Sequence, residues 1–302
     1  MGLFGGYQNA GPGINPYAPK KKPFFRYWEL MWRNLGKLLG LNLIFTLCHA
    51  PLLCAPIIYV YTKNALTNAI TIGLLILQFL LEGPVLAGTT RVLRLIVLDK
   101  AFFLGEEFKK GFSRNLSASF LIWVIDAIVM LSIYYGSQLY PQYAEKLNTK
   151  AVYIPYVISL AVAFVLLFMN FYLMPLTVVT KLNKRNVFKN SFMLTVLSPK
   201  QCLLSLLCIL LYGGSMVLLM MISSYFMFLL AFYPAMLIGY TVMFIHYPVI
   251  QKYVINPYYE ETGEKNPEEE ELPPEEERVF TDRGGSEKPI QKQKAKKGKI
   301  IS

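Results

Sequence analysis

Four side chains with acid, base or amide groups lie inside long apolar stretches of the sequence. They are Asp126, Gln78, His49 and Glu82. Asp126 lies about ten residues into its apolar run, which at about 1.5 Å per residue places it roughly 15 Å deep in a bilayer. An ionised carboxylate at that depth costs about 2.5 to 3.5 kcal/mol, so it requires a partner, a proton or a polar cavity. The four residues therefore form a candidate intramembrane polar site.

Asp126 has two possible roles that the sequence leaves open. Judged by depth, Gln78 and His49 are the partners within its reach. Asp126 with these partners would then bind a proton or a solute. The alternative is a protonated Asp126 that bridges two helices. His49 is more typical of a helix contact than of a ligand, and an amide such as Asn170 suits an interhelical hydrogen bond.

Glu82 precedes a predicted helix break at Gly83 and Pro84. Proline removes a backbone donor, and broken helices often line binding sites in transporters. Glu82 is expected closer to the membrane surface than Asp126. The alternative to a binding role is therefore that Arg91 or Arg94 neutralises it.

No motif for catalysis or metal binding is found in the chain. There is no HExxH, GxSxG or Walker sequence and no pair of carboxylates on a shared face. The cysteines lie in apolar runs without CxxC spacing or a nearby histidine cluster, at Cys48, Cys54, Cys202 and Cys208. We therefore expect no enzyme activity, no metal site and no cofactor.

The composition indicates which solvent surrounds these residues. Of the 302 residues, 54% are hydrophobic and 16% are charged, against about 25% charged in soluble domains. Six runs reach the roughly 20 apolar residues that a membrane-spanning helix needs, at 35–61, 70–98, 116–139, 152–179, 202–222 and 226–248. The sequence thus predicts an all-α fold, a polytopic transmembrane helical bundle with six spans.

The basic residues predict the orientation of these spans. Seventeen lysines and arginines flank the spans on one side, against Lys63, Lys146 and Lys150 on the other. Basic residues near span ends are retained in the cytoplasm, so both termini are expected in the cytoplasm. The spans are expected in the cell membrane. Because the net charge of +11 is placed beside apolar runs, it indicates membrane orientation and not nucleic-acid binding.

The segments outside the six-span domain (residues 35–250) are expected to differ in structure. In residues 1–34, Trp28 and Met31 share a predicted apolar face opposite Arg26 and Arg33, as in a helix lying at the membrane surface. The alternative is a plain extension of the first span. Residues 251–302 carry an acidic block and then a basic end, which predicts a disordered tail that is either solvated or in contact with anionic lipid.

Two links between spans carry matching aromatic and basic patterns. Phe108, Lys109 and Phe112 recur as Phe188, Lys189 and Phe192. Each pair of phenylalanines is spaced i, i+4 and so shares a helix face, which predicts amphipathic cytoplasmic helices that act as docking surfaces. Each link also follows a span with a proline near its inner end, Pro84 or Pro175, where a helix break is expected, and this favours a repeated helical hairpin. The alternative is that the two patterns are not a repeat, because links beside a membrane are commonly rich in phenylalanine and lysine.

Four stretches of this sequence resemble the YesL family of bacterial membrane proteins, found mainly in Gram-positive bacteria. They are Gly11-Pro12-Gly13 with the basic and aromatic segment 20–28 that ends at Trp28, residues 42–51, residues 83–88 with Arg91 and Arg94, and residues 108–115 before Trp123. The resemblance covers about residues 10 to 250, and the charged tail lies outside it.

The resemblance implies a multi-pass protein of the cell membrane without an established activity. Members of the family are often encoded near components of carbohydrate importers and near polysaccharide-degrading enzymes. The expected function is therefore that of an accessory or regulatory partner of carbohydrate uptake. The alternative is a transporter or channel with Asp126 and the Gly83-Pro84 break at its pathway. The solute and the oligomeric state are not predicted.

Overall fold

The computed structural model of the chain describes residues 21–61, 64–223 and 234–268, with side chains for 21–60, 64–223 and 237–268. Within these ranges the structure contains helices and no strand, which confirms the all-α class. The chain divides into a unit from Arg26 to Asn266 and a second unit formed by Met1–Phe25 and Pro267–Ser302. Of the second unit, only residues 21–25 and 267–268 are described.

Eleven α-helices follow one another along the described chain. They are α1 (Pro23–Arg33), α2 (Leu35–Cys48), α3 (Ala50–Tyr61), α4 (Ala65–Val97), α5 (Leu104–Arg114), α6 (Leu116–Leu147), α7 (Tyr153–Val179), α8 (Lys184–Leu197), α9 (Pro199–Ile222), α10 (Tyr240–Ile250) and α11 (Asn256–Thr262). A 3₁₀ turn (Lys150–Val152) precedes α7, and π-helical turns (Pro234–Gly239 and Gln251–Ile255) flank α10.

Four helices in the described residues are long and apolar enough to cross a bilayer. They are Ala65–Val97, Leu116–Leu147, Lys150–Val179 and Pro199–Ile222, and the bent pair Leu35–Cys48 with Ala50–Val60 is a fifth candidate if it forms one span. The chain is thus a helical protein with several apolar helices compatible with a multi-pass membrane protein. The predicted sixth span falls partly outside the described residues, and it remains a prediction, as does the orientation.

The first predicted span is bent instead of straight. Its two helices meet at 43° around His49. Pro51 has no N–H to donate to the carbonyl of Leu47, and its ring disfavours a helical conformation at Ala50. The helix therefore ends at Cys48 and resumes at Ala50, with His49 at the bend.

The predicted helix break at Gly83 and Pro84 is wrong, because α4 continues without interruption from Ala65 to Val97. Helix α7 likewise continues through Pro175. A proline removes only one backbone hydrogen bond, and in both helices the segment around it is buried against neighbouring helices. Gly83 has a different role, since a Cβ there would lie 2.5 Å from the carbonyl oxygen of Ser119. The glycine allows α4 and α6 to pack backbone to backbone.

A second close approach joins α4 to α5. A Cβ on Gly111 would lie 2.9 Å from the Cα of Gly88, and a Cβ on Gly88 would lie 2.9 Å from the ring of Phe108. Small residues on both helices thus allow the short helix α5 to fold back along the end of α4. This contact fixes the position of the first aromatic-basic link.

The buried core lies at one end of the helices, which we call the basic end. Here α4 and α7 finish, α6 and α9 begin, and α1, α5, α8 and α10 pack among them. Its largest fully buried side chains include Tyr172, Tyr240, Tyr247, Leu38 and Ile96. Away from this end, only 6 to 22% of the most apolar stretch of each long helix is buried within the protein. This exposed apolar surface is compatible with insertion into a membrane.

Helix α1 is held at the basic end by charge and by aromatic contacts. Arg26 and Arg33 both donate to Asp99, which follows α4 in a left-handed conformation (φ 58°). The amide of Asp99 donates to Ile96 and that of Lys100 to Leu95, which is a Schellman helix ending. Because a turn at Asn34 separates α1 from α2, α1 is not a plain extension of the first span.

Of the two sequence expectations for the ends of the chain, the position of α1 at the membrane surface stays a prediction, with Met31 buried in the core and Trp28 41% exposed. The other expectation needs correction. Residues 251–262 are helical, although this part of the tail was predicted to be disordered. Ile255 is buried there and Tyr259 packs against the core, so these apolar side chains order the segment.

The close approach of α4 to α6 can be tested with two glycines of the same helix. We expect Gly83→Ala to lower the stability by about 1 to 3 kcal/mol, because the added Cβ meets backbone atoms that cannot move aside. Gly73→Ala is the control, since its Cβ would meet nothing within 4 Å. The measurement is thermal unfolding of both purified variants in detergent. Equal melting temperatures would contradict the packing of α4 on α6.

Candidate functional site

Three of the four predicted polar residues meet in one cluster, formed by His49, Gln78 and Glu82. Nε2 of His49 lies 2.9 Å from Oε2 of Glu82, and Nε2 of Gln78 donates to the same oxygen at 2.7 Å. The side chains of His49 and Glu82 are only 14 and 15% exposed. The cluster joins the bend between α2 and α3 to the middle of α4.

The hydrogen bonds of His49 determine how many protons His49 and Glu82 hold together. Nδ1 of His49 lies 2.8 Å from the carbonyl oxygen of Phe45, which can only accept, so Nδ1 carries a hydrogen. The contact between Nε2 and the Glu82 carboxyl then needs one further proton, because two lone pairs would repel each other at this distance. That proton belongs either to an imidazolium facing a carboxylate or to a carboxylic acid facing a neutral imidazole. Both arrangements are neutral overall, which suits an apolar surrounding.

One polar atom of this cluster has no protein partner. The carbonyl oxygen Oε1 of Gln78 is buried and accepts no hydrogen bond from any described residue. An unsatisfied buried acceptor costs about 1 to 3 kcal/mol unless water or another donor reaches it. The cluster therefore offers an acceptor site for a hydroxyl group or a water molecule beside a shared proton.

Asp126 does not join this cluster, contrary to the prediction that Gln78 or His49 would be its partner. Its Oδ1 accepts a 2.7 Å hydrogen bond from Nδ2 of Asn170 on α7. Depth was a poor guide here, because residues at the same depth on α4 and α6 can face different neighbours. The interhelical role expected for Asn170 is confirmed, and Asp126 with Asn170 bridges α6 and α7.

The arginines expected to neutralise Glu82 bind other groups. Nε of Arg91 donates to Glu107 at 2.7 Å, and Nε of Arg94 donates to the hydroxyl of Tyr247 at 2.8 Å. Both arginines lie more than two helical turns beyond Glu82 on α4, where they reach partners on α5 and α10. Glu82 is therefore paired with His49 instead.

A buried histidine at the basic end was missed by the sequence analysis. Nε2 of His246 lies 2.8 Å from the hydroxyl oxygen of Ser205, and the ring stacks on Phe171 with centroids 4.9 Å apart. The residue is fully buried, and its Nδ1 has no partner among the described residues. The signal available in the sequence was a second histidine inside an apolar run, with a serine in the run before it.

The two aromatic-basic links differ in how they use their phenylalanines. In α5, Phe108 and Phe112 are both partly buried, with Phe108 against Gly88, so this pair is taken up by packing inside the protein. In α8, Phe188 packs on the core while Phe192 is 47% exposed. The lysines of both links, Lys109 and Lys189, are exposed. Only α8 therefore retains an aromatic side chain for docking.

An ion-pair network fixes α5 against α4. Glu107 accepts from Arg91 at 2.7 Å and from Lys110 at 2.8 Å, and Lys110 also contacts Glu106 at 2.7 Å. Burial by itself would raise the pKa of Glu107. The hydrogen bonds and charges of Lys110 and Arg91 outweigh that effect and hold the pKa below its usual range. Glu107 is therefore ionised at neutral pH and ties α5 to the end of α4.

The described residues show no group of three or more His, Cys, Asp or Glu side chains placed to hold a metal ion. Cys48, Cys54, Cys202 and Cys208 are all free thiols. The expectation that the protein is not an enzyme is not tested by these findings and remains a prediction.

Comparison of the chain with family models, with curated proteins and with solved structures gave no match. The resemblance to the YesL family is therefore neither supported nor contradicted, and it remains a prediction.

The Glu107 network predicts how stability depends on pH. A depressed folded-state pKa stabilises the protein above the unfolded value of about 4.3, and this contribution is lost as the pH falls through the lower folded value. We expect Glu107→Gln to lower stability at pH 7 by about 1 to 2 kcal/mol and to weaken the loss below about pH 4. The measurement is the melting temperature in detergent between pH 3 and pH 7.

Glu106→Gln is the matched control, because Glu106 is 59% exposed and contacts only Lys110. Its curve should follow that of the parent closely. If the two variants had the same pH dependence, Glu107 would not be the residue that ties α5 to α4.

Proposed function

We propose that this protein is a non-enzymatic accessory or regulatory partner of a solute importer in the cell membrane, with both termini in the cytoplasm. The observation that carries the proposal is an open groove between α8 and the C-terminal helical segment at the basic end. The resemblance to the YesL family contributes the solute class, carbohydrate, and the bacterial setting.

The groove combines an apolar floor with charged residues around it. Its lining includes Asn190, Met193, Leu197, Tyr253, Pro257, Tyr258 and the acidic Glu261. Along α8 the exposed apolar side chains continue to Phe192 and Val196. Lys189 and Lys200 are exposed at the two ends of this face. An exposed apolar strip with charged residues at its rim is typical of a surface that receives an amphipathic helix.

The occupant that fits is a cytoplasmic helix of the importer's membrane subunit. Such a helix would place apolar side chains at i, i+3 and i+4 in the groove and acidic side chains beside the two lysines. The interior supports a partner role over a conducting role. Helices α4 and α7 continue through their prolines, and the core at the basic end is filled by large side chains such as Tyr172 and Tyr247.

Site-directed photocrosslinking tests this proposal. A photoreactive residue at Met193 or Leu197 should crosslink to a membrane subunit of a carbohydrate importer in living cells. The same residue at Leu210, which is 62% exposed on α9, should not. The double variant Met193→Ala with Leu197→Ala is tested with the photoreactive residue in place of Phe192. Its crosslinking should be about tenfold lower.

A deletion strain provides the functional measurement. We expect its uptake of labelled carbohydrate to be reduced and then restored by the parent chain, but not by the double alanine variant. The proposal fails if uptake is unchanged in the deletion strain and the crosslinks at Met193 and Leu197 contain no importer subunit.

A second candidate function is proton-coupled transport by the chain itself, favoured by the His49, Gln78 and Glu82 cluster. Ionisable residues inside the membrane are commonly functional. The proton shared by His49 and Glu82 lies at the bend of a broken helix, where a change of partner could move α2 relative to α3. For this second candidate we assign the pathway to Glu82, whereas the sequence analysis assigned it to Asp126 and the Gly83-Pro84 break.

Reconstitution into liposomes separates the two functions. If the chain is a transporter, a pH gradient should drive solute entry. Glu82→Gln should reduce this entry at least tenfold, because an amide cannot release the shared proton. Asp126→Asn should retain it, since the new amide can still accept from Asn170. If the parent chain moves no solute under a gradient, the transport function is excluded and the accessory function is favoured.

A further inference from the structure

A small cavity at the basic end lies between the start of α6, the end of α7 and the start of α8. Its volume is about 160 Å³. The polar part of its lining is formed by Asn115, Thr180, Lys181 and Lys184, and the apolar part includes Ile122 and Phe188. No carboxylate lines the cavity. It is separate from the groove on the other part of α8 and independent of the proposed function.

Within the part of the chain that the structure describes, no acidic side chain neutralises the positive charge in this cavity. Nζ of Lys184 donates to the neutral hydroxyl of Ser117 at 2.7 Å, and Lys181 makes no ion pair with any described residue. The sequence contains no aspartate or glutamate between Glu145 and Glu260.

Other basic side chains at the same end have acidic partners, as Arg26 and Arg33 do with Asp99. Arg91 and Lys110 are likewise paired, with Glu107. Within the described chain, the cavity thus joins two close lysines to hydroxyl and amide groups without an acid, which is the chemistry of an anion site.

The position of the cavity indicates where the anion comes from. The start of α6 at Leu116 and the end of α7 at Val179 are the ends of candidate spans, so the cavity lies at the level of the lipid headgroups. Leu121 and Leu182 line it and are exposed, so they can contact acyl chains. Basic pockets between transmembrane helices at this level bind phosphate-containing lipid headgroups. A free phosphate ion would make no use of this apolar surface.

We propose that the cavity between α6, α7 and α8 binds the phosphate group of an anionic phospholipid, with Lys181 and Lys184 as the charged ligands. Nδ2 of Asn115 donates one hydrogen to Gly111 and has a second for a phosphate oxygen, and the exposed leucines hold the first part of an acyl chain. A bound lipid thereby connects the two candidate spans α6 and α7 with the link helix α8.

The test compares two double variants of equal charge. Lys181→Gln with Lys184→Gln removes the two cavity lysines, and Lys189→Gln with Lys200→Gln removes two exposed lysines of the same region that do not line it. The full-length chain is placed in vesicles of phosphatidylcholine with and without phosphatidylglycerol. Native mass spectrometry after gentle extraction then counts the retained phosphatidylglycerol.

We expect the parent and the control variant to retain phosphatidylglycerol over phosphatidylcholine and the cavity variant to bind it at least about tenfold more weakly. Both variants should melt like the parent in pure phosphatidylcholine, which shows that they are folded. Equal losses in the two variants would reveal a diffuse effect of surface charge and overturn the site. Equal retention of phosphatidylcholine and phosphatidylglycerol by the parent would also overturn it.

Inorganic phosphate distinguishes the two sources of the anion. At millimolar concentration it should not displace phosphatidylglycerol from the parent, because it lacks the acyl contacts. If it displaces the lipid completely, the cavity is a site for free phosphate and the lipid assignment is wrong.

Discussion

The close backbone approaches made by α4 are the constraint on which the rest of the structure depends. Gly83 lies against the backbone of Ser119, and Gly88 lies against Gly111. Lipid provides no hydrophobic force between helices, so small residues that permit tight van der Waals contact are what hold such helices together. These contacts set α6 and α5 beside α4. The pairing of Glu107 with Arg91 depends on them, because it joins α5 to the end of α4.

Charged groups are arranged differently in the apolar region and at the basic end of this protein. Inside the apolar region, Glu82 is paired with His49 and Asp126 with Asn170, so that each acid has one polar partner on another helix. At the basic end, some cations are neutralised by acids that hold short helices, as with Asp99 and Glu107. The cations around the start of α8 have no acid partner among the described residues. The first two arrangements stabilise the fold, and the last is the basis of the proposed anion site.

The proposed roles use different surfaces of the same bundle. We propose a protein partner for the groove beside α8 and a lipid for the cavity at the start of α8. The cluster of His49, Gln78 and Glu82 lies deeper, at the bend between α2 and α3. A short helix that contacts both lipid and partner is well placed to couple the membrane to an importer. The deeper cluster would instead couple a proton to the geometry of the bend.

The sequence by itself determined the helical class, the apolar helices and the gathering of basic residues beside them, because these follow from composition and spacing along one chain. It also identified His49, Gln78, Glu82 and Asp126 as unusual, since burying such groups in an apolar run is costly wherever they point. Only the tertiary structure decided which of them meet. Depth can be counted along a helix, but the direction of a side chain depends on how neighbouring helices rotate and cross.

The same distinction explains the errors at the prolines and the links. Pro84 and Pro175 were expected to break their helices, yet the loss of one hydrogen bond is tolerated where neighbouring helices bury the segment. The links Phe108 to Phe112 and Phe188 to Phe192 look alike in sequence. They differ in exposure because Gly88 lets Phe108 pack directly on α4, whereas Phe192 on α8 stays 47% exposed. Local pattern determined what each segment can form, and packing between distant segments decided which surfaces remained free.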